Sequence, residues 1–254
     1  MTRCGFEYLI MILLLFFQTD VEKVEKTDST VKTTSKGTKH LTDDEIIAQC
    51  ILFFIAGYET TASTIANVMF EFTHHPEVQE KLYKEVTKKL SDLDPKDLDK
   101  YYETITNDIP YLDAVLKETL RKYPIVPRLE RRLDADSYEL GGIKLDRDTI
   151  VEVSTIALHY DEKNYTNPFK YDPDRFLPEN KHNLNPYAYV PFGIGPRNCV
   201  GMRFAYQEAK ICLAALVQKF IFTKSPKTPE RLEFILGTGN LFAKSFEISV
   251  NPRQ

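Results

Sequence analysis

Tryptophan is absent from the 254 residues, although the chain carries 16 Phe and 14 Tyr. Cysteine is scarce: four residues, at 4, 50, 199 and 212, with no two spaced as C-x-x-C. That spacing excludes a zinc ribbon, a thioredoxin-type motif and a disulfide-dense secreted scaffold. Positive charge is not in excess. Lys plus Arg number 33 against 37 Asp plus Glu, a formal charge of -4, which argues against a nucleic-acid partner. The five histidines, at 40, 74, 75, 159 and 182, show no ligand spacing, and none is assigned a metal. In the main body no stretch approaches the roughly twenty apolar residues of a membrane span. What remains is an ordinary folded composition, 43% hydrophobic and 28% charged, long enough for one large domain or two small ones.

Three regions follow from the patterning: a short apolar segment over 1–19, a polar connector over 20–41 and a domain over 42–254. The first contains FEYLIMILLLFF, Phe6 to Phe17. Its length suits a signal-peptide core, but Gln18-Thr19-Asp20 offers no small-residue cleavage site. It is too short to span a bilayer, and it lacks the polar face of an interfacial helix. The end of a buried helix, a membrane contact and a secretory signal all remain open for it. Residues 20–40 are rich in Lys, Thr and Ser, too poor in apolar surface to offset ordering entropy.

Thr42 and Glu45 have the spacing of a capping box. The run behind them, EIIAQCILFFIAGYETTASTIANVMFEF, is apolar on nearly every face, so it is expected as a buried central helix. Gly57, Glu59, Thr60 and Thr61 interrupt it. A helical Gly costs up to about 1 kcal/mol relative to Ala. A buried carboxylate costs more unless paired, and irregularities that cluster in this way mark a site. His74-His75-Pro76 ends this helix and starts an amphipathic one carrying Val78, Leu82, Val86 and Leu90. Residues 92–106 read as polar and irregular. A further helix carries Leu112, Val115, Leu116 and Leu120 and ends at Pro124. A hairpin is expected around Gly141-Gly142, a strand over 149–155, ordered coil over 161–191, a helix from Cys199 to about Lys219 and a strand over 246–250. The fold class is mainly α with a minor β component.

The chemistry concentrates in Phe192-Gly193-Ile194-Gly195-Pro196-Arg197-Asn198-Cys199-Val200-Gly201. Two glycines bracket a turn and a Cys stands at the entry of a helix. There free amides and Arg197 would favour a thiolate. Taken alone, a lone Cys at a helix start is read first as a small buried hydrophobe. The glycines match neither a dinucleotide fingerprint nor a phosphate loop.

The run as a whole fills every position of F-x-x-G-x-R-x-C-x-G, and so resembles the haem-thiolate signature of the cytochrome P-450 family. Ala56-Gly57-Tyr58-Glu59-Thr60-Thr61 is similar to that family's oxygen-binding helix segment. Glu118-Thr119-Leu120-Arg121 resembles its E-x-x-R pair, and Pro173-Asp174-Arg175-Phe176 its P-x-R-F element. The four occur in the family's order, and the resemblance covers about Thr42 to Val250. The stretch Tyr123 to Arg131 looks most like the animal microsomal branch that handles drugs and steroids.

The resemblance implies the C-terminal half of the cytochrome P-450 fold and haem b as cofactor, with Cys199 as the axial iron ligand. It implies Arg131 and Arg197 on the propionates, and Phe192 and Gly193 sheltering the thiolate. Ala56 and Gly57 would leave room for dioxygen. Glu59 and Thr60 would be the acid–alcohol pair that delivers protons, although Thr60 can also simply back-bond to a helix carbonyl. Glu118, Arg121 and Arg175 would be a charge cluster holding the cysteine loop. Leu52, Ile55, Ile125 and Val126 would line the substrate pocket, core packing being the rival reading. Implied partners are an NADPH-dependent flavoprotein reductase, drawn to Arg197, Arg203 and Lys210, together with O2 and a lipophilic small molecule. The implied location is the cytoplasmic face of the endoplasmic reticulum membrane. The activity would be a monooxygenase. A reductase-independent isomerase and a non-catalytic fragment are the alternatives, because the family's chains are longer at the N-terminus and a partial sequence is expected.

Overall fold

A computed structural model describes residues 41–253 apart from residue 95. The apolar segment and the polar connector read from the sequence lie outside the described residues, Leu41 excepted. Helix α1 (Asp43–His74) opens on the expected capping box. The Thr42 amide donates to Glu45 Oε2 at 2.8 Å and the Glu45 amide to Thr42 Oγ1 at 3.3 Å.

α1 does not meet the expectation of burial along its whole length. From Thr61 onward it is packed: Ile65, Val68, Phe70 and Phe72 are buried. Before Thr61 the same apolar composition faces outward, with Phe54 68% exposed. An apolar residue is buried only where another surface covers it, and no described residue covers this stretch. By length and composition α1 is also apolar enough to cross a membrane, which corrects the expectation that no such stretch exists. Its second half nevertheless packs into the protein and carries buried Glu71, paired with Lys122 at 2.9 Å.

Helix α2 (Pro76–Leu90) starts with Pro at its first position and buries Val78, Leu82, Val86 and Leu90, as the four-residue repeat predicts. Helix α3 (Leu98–Asn107) occupies part of the stretch expected to be irregular. Asp97 caps it by accepting from the Lys100 amide, and its buried residues are Thr104, Ile105 and Thr106. Helix α4 (Pro110–Lys122) supplies the centre of the core through Leu112, Ala114, Val115 and Leu116.

Four short strands follow. β1 (Arg128–Arg132) pairs antiparallel with β4 (Ile150–Ser154), placing Leu129 opposite Val153. β2 (Ser137–Leu140) and β3 (Ile143–Asp146) form the expected hairpin, and Gly141 and Gly142 take the positive φ values of 57° and 81° that its turn requires. Helix α5 (Thr155–Tyr160) is capped by Ser154. The coil beyond it is punctuated by two 3-10 turns, Pro173–Phe176 and Pro178–Asn183. Helix α6 (Met202–Lys219) packs Ala209, Leu213, Ala214 and Val217 into the same core. β5 (Phe220–Lys224) pairs antiparallel with β6 (Ile248–Pro252), the latter two residues later than the sequence suggests. The described part is thus mainly helical with small two-stranded sheets.

Candidate functional site

A cleft of about 340 Å³ gathers residues from separate parts of the chain. α1 gives Ala56, Thr60, Thr61 and Thr64, α4 gives Leu116 and Leu120, the link into β1 gives Ile125 and Val126, and β1 gives Leu129. The 191–199 loop adds Pro191, Phe192, Gly193, Arg197 and Cys199, and α6 adds Ala205, Tyr206 and Ala209. Most of these side chains are apolar or small. A single thiol and a single guanidinium interrupt them.

The loop is shaped by its glycines. Gly193 and Gly195 sit at φ 74° and 80°, a region where a side chain is strained. The turn lets the Cys199 amide donate to the Phe192 carbonyl at 2.8 Å, and the Gly193 amide to Val190 at 3.0 Å. α6 begins three residues later than expected, at Met202, whose amide donates to the Cys199 carbonyl at 3.4 Å. Cys199 is a free, exposed cysteine. Neither the Phe192 ring, which packs 5.2 Å from Tyr206, nor the glycine turn screens its thiol from water.

Of the sequence-selected residues, Ala56, Thr60, Ile125, Val126, Phe192, Gly193, Arg197 and Cys199 meet at this cleft. Thr60 makes the helix back-bond, its hydroxyl donating to the Ala56 carbonyl at 2.7 Å. Gly57 and Glu59 are not among the lining residues, and Glu59 is exposed. Successive helical residues are rotated by about 100°, so Glu59 points away from the lining face, whereas Gly57, on the side of Thr61 and Thr64, has no side chain to line the cleft. Leu52 and Ile55, 58% and 64% exposed, also stay outside the cleft. Leu52 shares the Ala56–Thr60 face but stands one turn beyond the described walls. Arg131 lies exposed on β1, two residues from Leu129 and hence on the same strand face, with its guanidinium donating to the Glu130 carbonyl at 2.6 Å.

Glu118 and Arg121 form a fully buried bidentate pair at 2.7 and 2.8 Å, and Arg175 Nε stands 3.5 Å from Glu118. Burial pushes the Glu118 carboxyl up. Burial alone would lower the Arg121 guanidinium, but its bonds to Glu118 raise it on balance. The cluster does not touch the cysteine loop directly. Glu118 accepts from the Asp172 amide at 2.8 Å, and Arg121 donates to the His159 carbonyl at 2.9 Å. It therefore fastens α4 to α5 and to the coil before the first 3-10 turn. Sequence reasoning passed over His159, whose ring accepts from the Val190 amide at 3.1 Å. Nothing in its neighbours along the chain signals that role.

Arg197 and Arg203 are exposed. Lys210 is not a free charge: it is bonded to Asp113 at 2.9 Å and to the Thr106 carbonyl at 2.9 Å. Burial would raise the Asp113 carboxyl, but Lys117 and Lys210 together hold it low.

The donor set suits a flat, largely apolar group that brings its own metal and needs one soft axial ligand and a cation for its carboxylates. Among the described residues no three His, Cys, Asp or Glu side chains gather into a metal cluster. One thiol and one Arg among small and apolar side chains are the residue types that haem would need.

Known proteins agree. The profile of the family described as Cytochrome P450 matches residues 18–245, beginning well upstream of Thr42. Rat cytochrome P450 3A2 is 44% identical over 190 residues, which is 75% of this chain and 36% of the relative. Human cytochrome P450 3A7 is 41% identical over 209 residues, covering 82% and 40% respectively. The chain thus spans well under half the length of these relatives. With the profile covering most of the sequence and the cysteine-loop signature complete, this chain belongs to the cytochrome P450 family.

Proposed function

We propose that the residues of this chain serve a haem-thiolate monooxygenase acting on a lipophilic small molecule. The observation that carries the reading is the meeting of Cys199 and Arg197 with Ala56 and Thr60 at one apolar cleft. Cys199 would bind the haem iron as thiolate, and Arg197 would pair with a propionate. Arg131 would join it only by giving up its bond to the Glu130 carbonyl. Bound there, haem would supply activation of dioxygen, one atom passing to the substrate and the other leaving as water, with electrons from NADPH through a flavoprotein reductase.

The chain's own residues do the rest. Ala56 and Gly193 keep the walls low enough for a planar group, and Leu116, Leu120, Ile125 and Val126 give a substrate an apolar face. The Thr60 hydroxyl, whose proton is given to the Ala56 carbonyl, keeps its lone pairs free to accept a hydrogen bond in the cleft. Glu59, exposed to water outside the cleft, would pass a proton inward only by turning towards the Thr60 hydroxyl. The exposed Arg203 would be the charge an acidic reductase face meets, Lys210 being neutralised by Asp113 and Arg197 taken up by the propionate. Kinship with these relatives supports a location at the endoplasmic reticulum membrane, and the cytoplasmic face would supply the reducing conditions that keep the thiol free.

The test is the carbon-monoxide difference spectrum of the reduced, haem-reconstituted chain. A Soret band at the long wavelength of thiolate ligation, lost in Cys199→Ala, supports the reading. A short-wavelength band, or no haem uptake, favours a second reading, a non-catalytic polypeptide. For the proton route, Thr60→Ala should raise NADPH consumption per product formed, and unchanged coupling would remove Thr60 from the mechanism. Turnover of a lipid peroxide without NADPH would instead indicate an isomerase, which the Glu59-Thr60 pair argues against.

A further inference from the structure

Among the described residues His159 is the only fully buried histidine, and both of its ring nitrogens are bonded to backbone. Val190 brings an N–H to Nε2 at 3.1 Å, so Nε2 must be bare. The proton therefore sits on Nδ1, which donates to the Arg121 carbonyl at 2.9 Å. The Tyr189 ring stacks on the imidazole at 5.7 Å, and Tyr165 meets it edge-on at 6.5 Å. A ring held by two bonds and two aromatic faces has one orientation. Its two partners lie 38 and 31 residues away along the chain.

The line of bonds continues past Val190. The Val190 carbonyl accepts from Gly193, and the Phe192 carbonyl accepts from Cys199. On the other side, Arg121 is locked to Glu118 and donates to the carbonyl of His159 itself. His159 thus joins the rigid charge pair of α4 to the segment that leads into the cysteine turn.

We propose that His159 is the positioning residue of the Cys199 loop, its neutral ring carrying the placement of α4 from the Arg121 carbonyl to the Val190 amide. The consequence for iron ligation rests on the haem-thiolate reading, but the mechanical role does not. Burial lowers the imidazole to about 4, so the ring stays in the tautomer that can accept from Val190.

The test compares His159→Asn with His159→Gln in the full 254-residue chain, before and after haem reconstitution. Asn keeps a donor near the Nδ1 position and loses the acceptor. The longer Gln places an amide oxygen near Nε2. Amide hydrogen exchange is followed by peptide in both variants. An unsatisfied buried N–H is expected to speed exchange of the 190–199 peptide by roughly tenfold in the Asn variant, with peptides of α4 and α2 unchanged and the Gln variant close to the native chain. After reconstitution, the share of the long-wavelength carbon-monoxide band should fall in the same order. Equal acceleration in every peptide, or no acceleration at 190–199, would overturn the proposal. Should the native chain take up no haem, the monooxygenase reading fails while the exchange pattern still decides the role of His159.

Discussion

Replacing Arg121 by Met would remove the cation at the heart of the core while keeping its volume. The side chain is 0% exposed and makes two bonds to Glu118 and one each to the carbonyls of His159 and Lys170. Glu118 would retain only the Asp172 amide at 2.8 Å and Arg175 at 3.5 Å. Breaking a buried ion pair from one side costs about 3–5 kcal/mol, because the other charge is left without its partner. A domain of this size is stable by about 5–15 kcal/mol, so the variant would lose from about a fifth to all of its margin. Urea denaturation followed by circular dichroism measures this, since the chain has no Trp to report. The sign with pH is specific. Burial already pushes Glu118 up, and losing Arg121 pushes it further. The folded variant then binds a proton that its unfolded chain releases, so its deficit against the native protein should shrink as pH falls through the raised value. Burial chiefly holds His159 down, with a smaller part from the Arg121 charge, so a control is needed. Glu118→Gln/Arg121→Met should be more stable than Arg121→Met at pH 7 and lack the Glu118 part of the acid recovery. A loss below about 1 kcal/mol, or a deficit that widens in acid, would refute the reasoning.

Three other outcomes are expected. His159 has a folded value of about 4 against the ordinary 6.5. Its contribution is complete above about pH 6.5 and is lost towards pH 4, by up to ~1.4 kcal/mol per pH unit, so His159→Gln should flatten the acid limb of the stability profile. Phe54→Glu, at an exposed position, should change unfolding free energy by less than about 0.5 kcal/mol yet reduce self-association seen by sedimentation. Gly193→Ala should cost about 1–2 kcal/mol in thermal unfolding for its φ of 74°, and little for space, because the new Cβ would meet Asn198 Cα at an ordinary 3.7 Å.

Local signals were legible in the sequence. The capping box at Thr42 and Glu45, the Gly141-Gly142 hairpin and the α2 stripe depend on neighbours within a few positions, and they stand where the sequence places them. α3 was hidden because two of its three buried residues are threonines, which do not register as an apolar stripe. The outward-facing turns of α1 show the reverse problem. Composition reports that a residue prefers burial, whereas burial itself depends on a covering surface. At the candidate site, Cys199, Arg197, Phe192 and Thr60 were readable through a fixed motif spacing. His159 was not, because its partners at Arg121 and Val190 meet it only after the chain has folded.

The uneven packing of α1 makes it a lever. Among the described residues the helix is packed from Thr61 onward and largely exposed before it. Ala56 stands about 7.5 Å from Thr61 along the axis and Leu52 about 13.5 Å. A tilt about Thr61 moves Leu52 nearly twice as far as Ala56. The cleft therefore takes its α1 wall from the stiffer root of the beam, whereas a displacement at Leu52 reaches Ala56 geared down to about half.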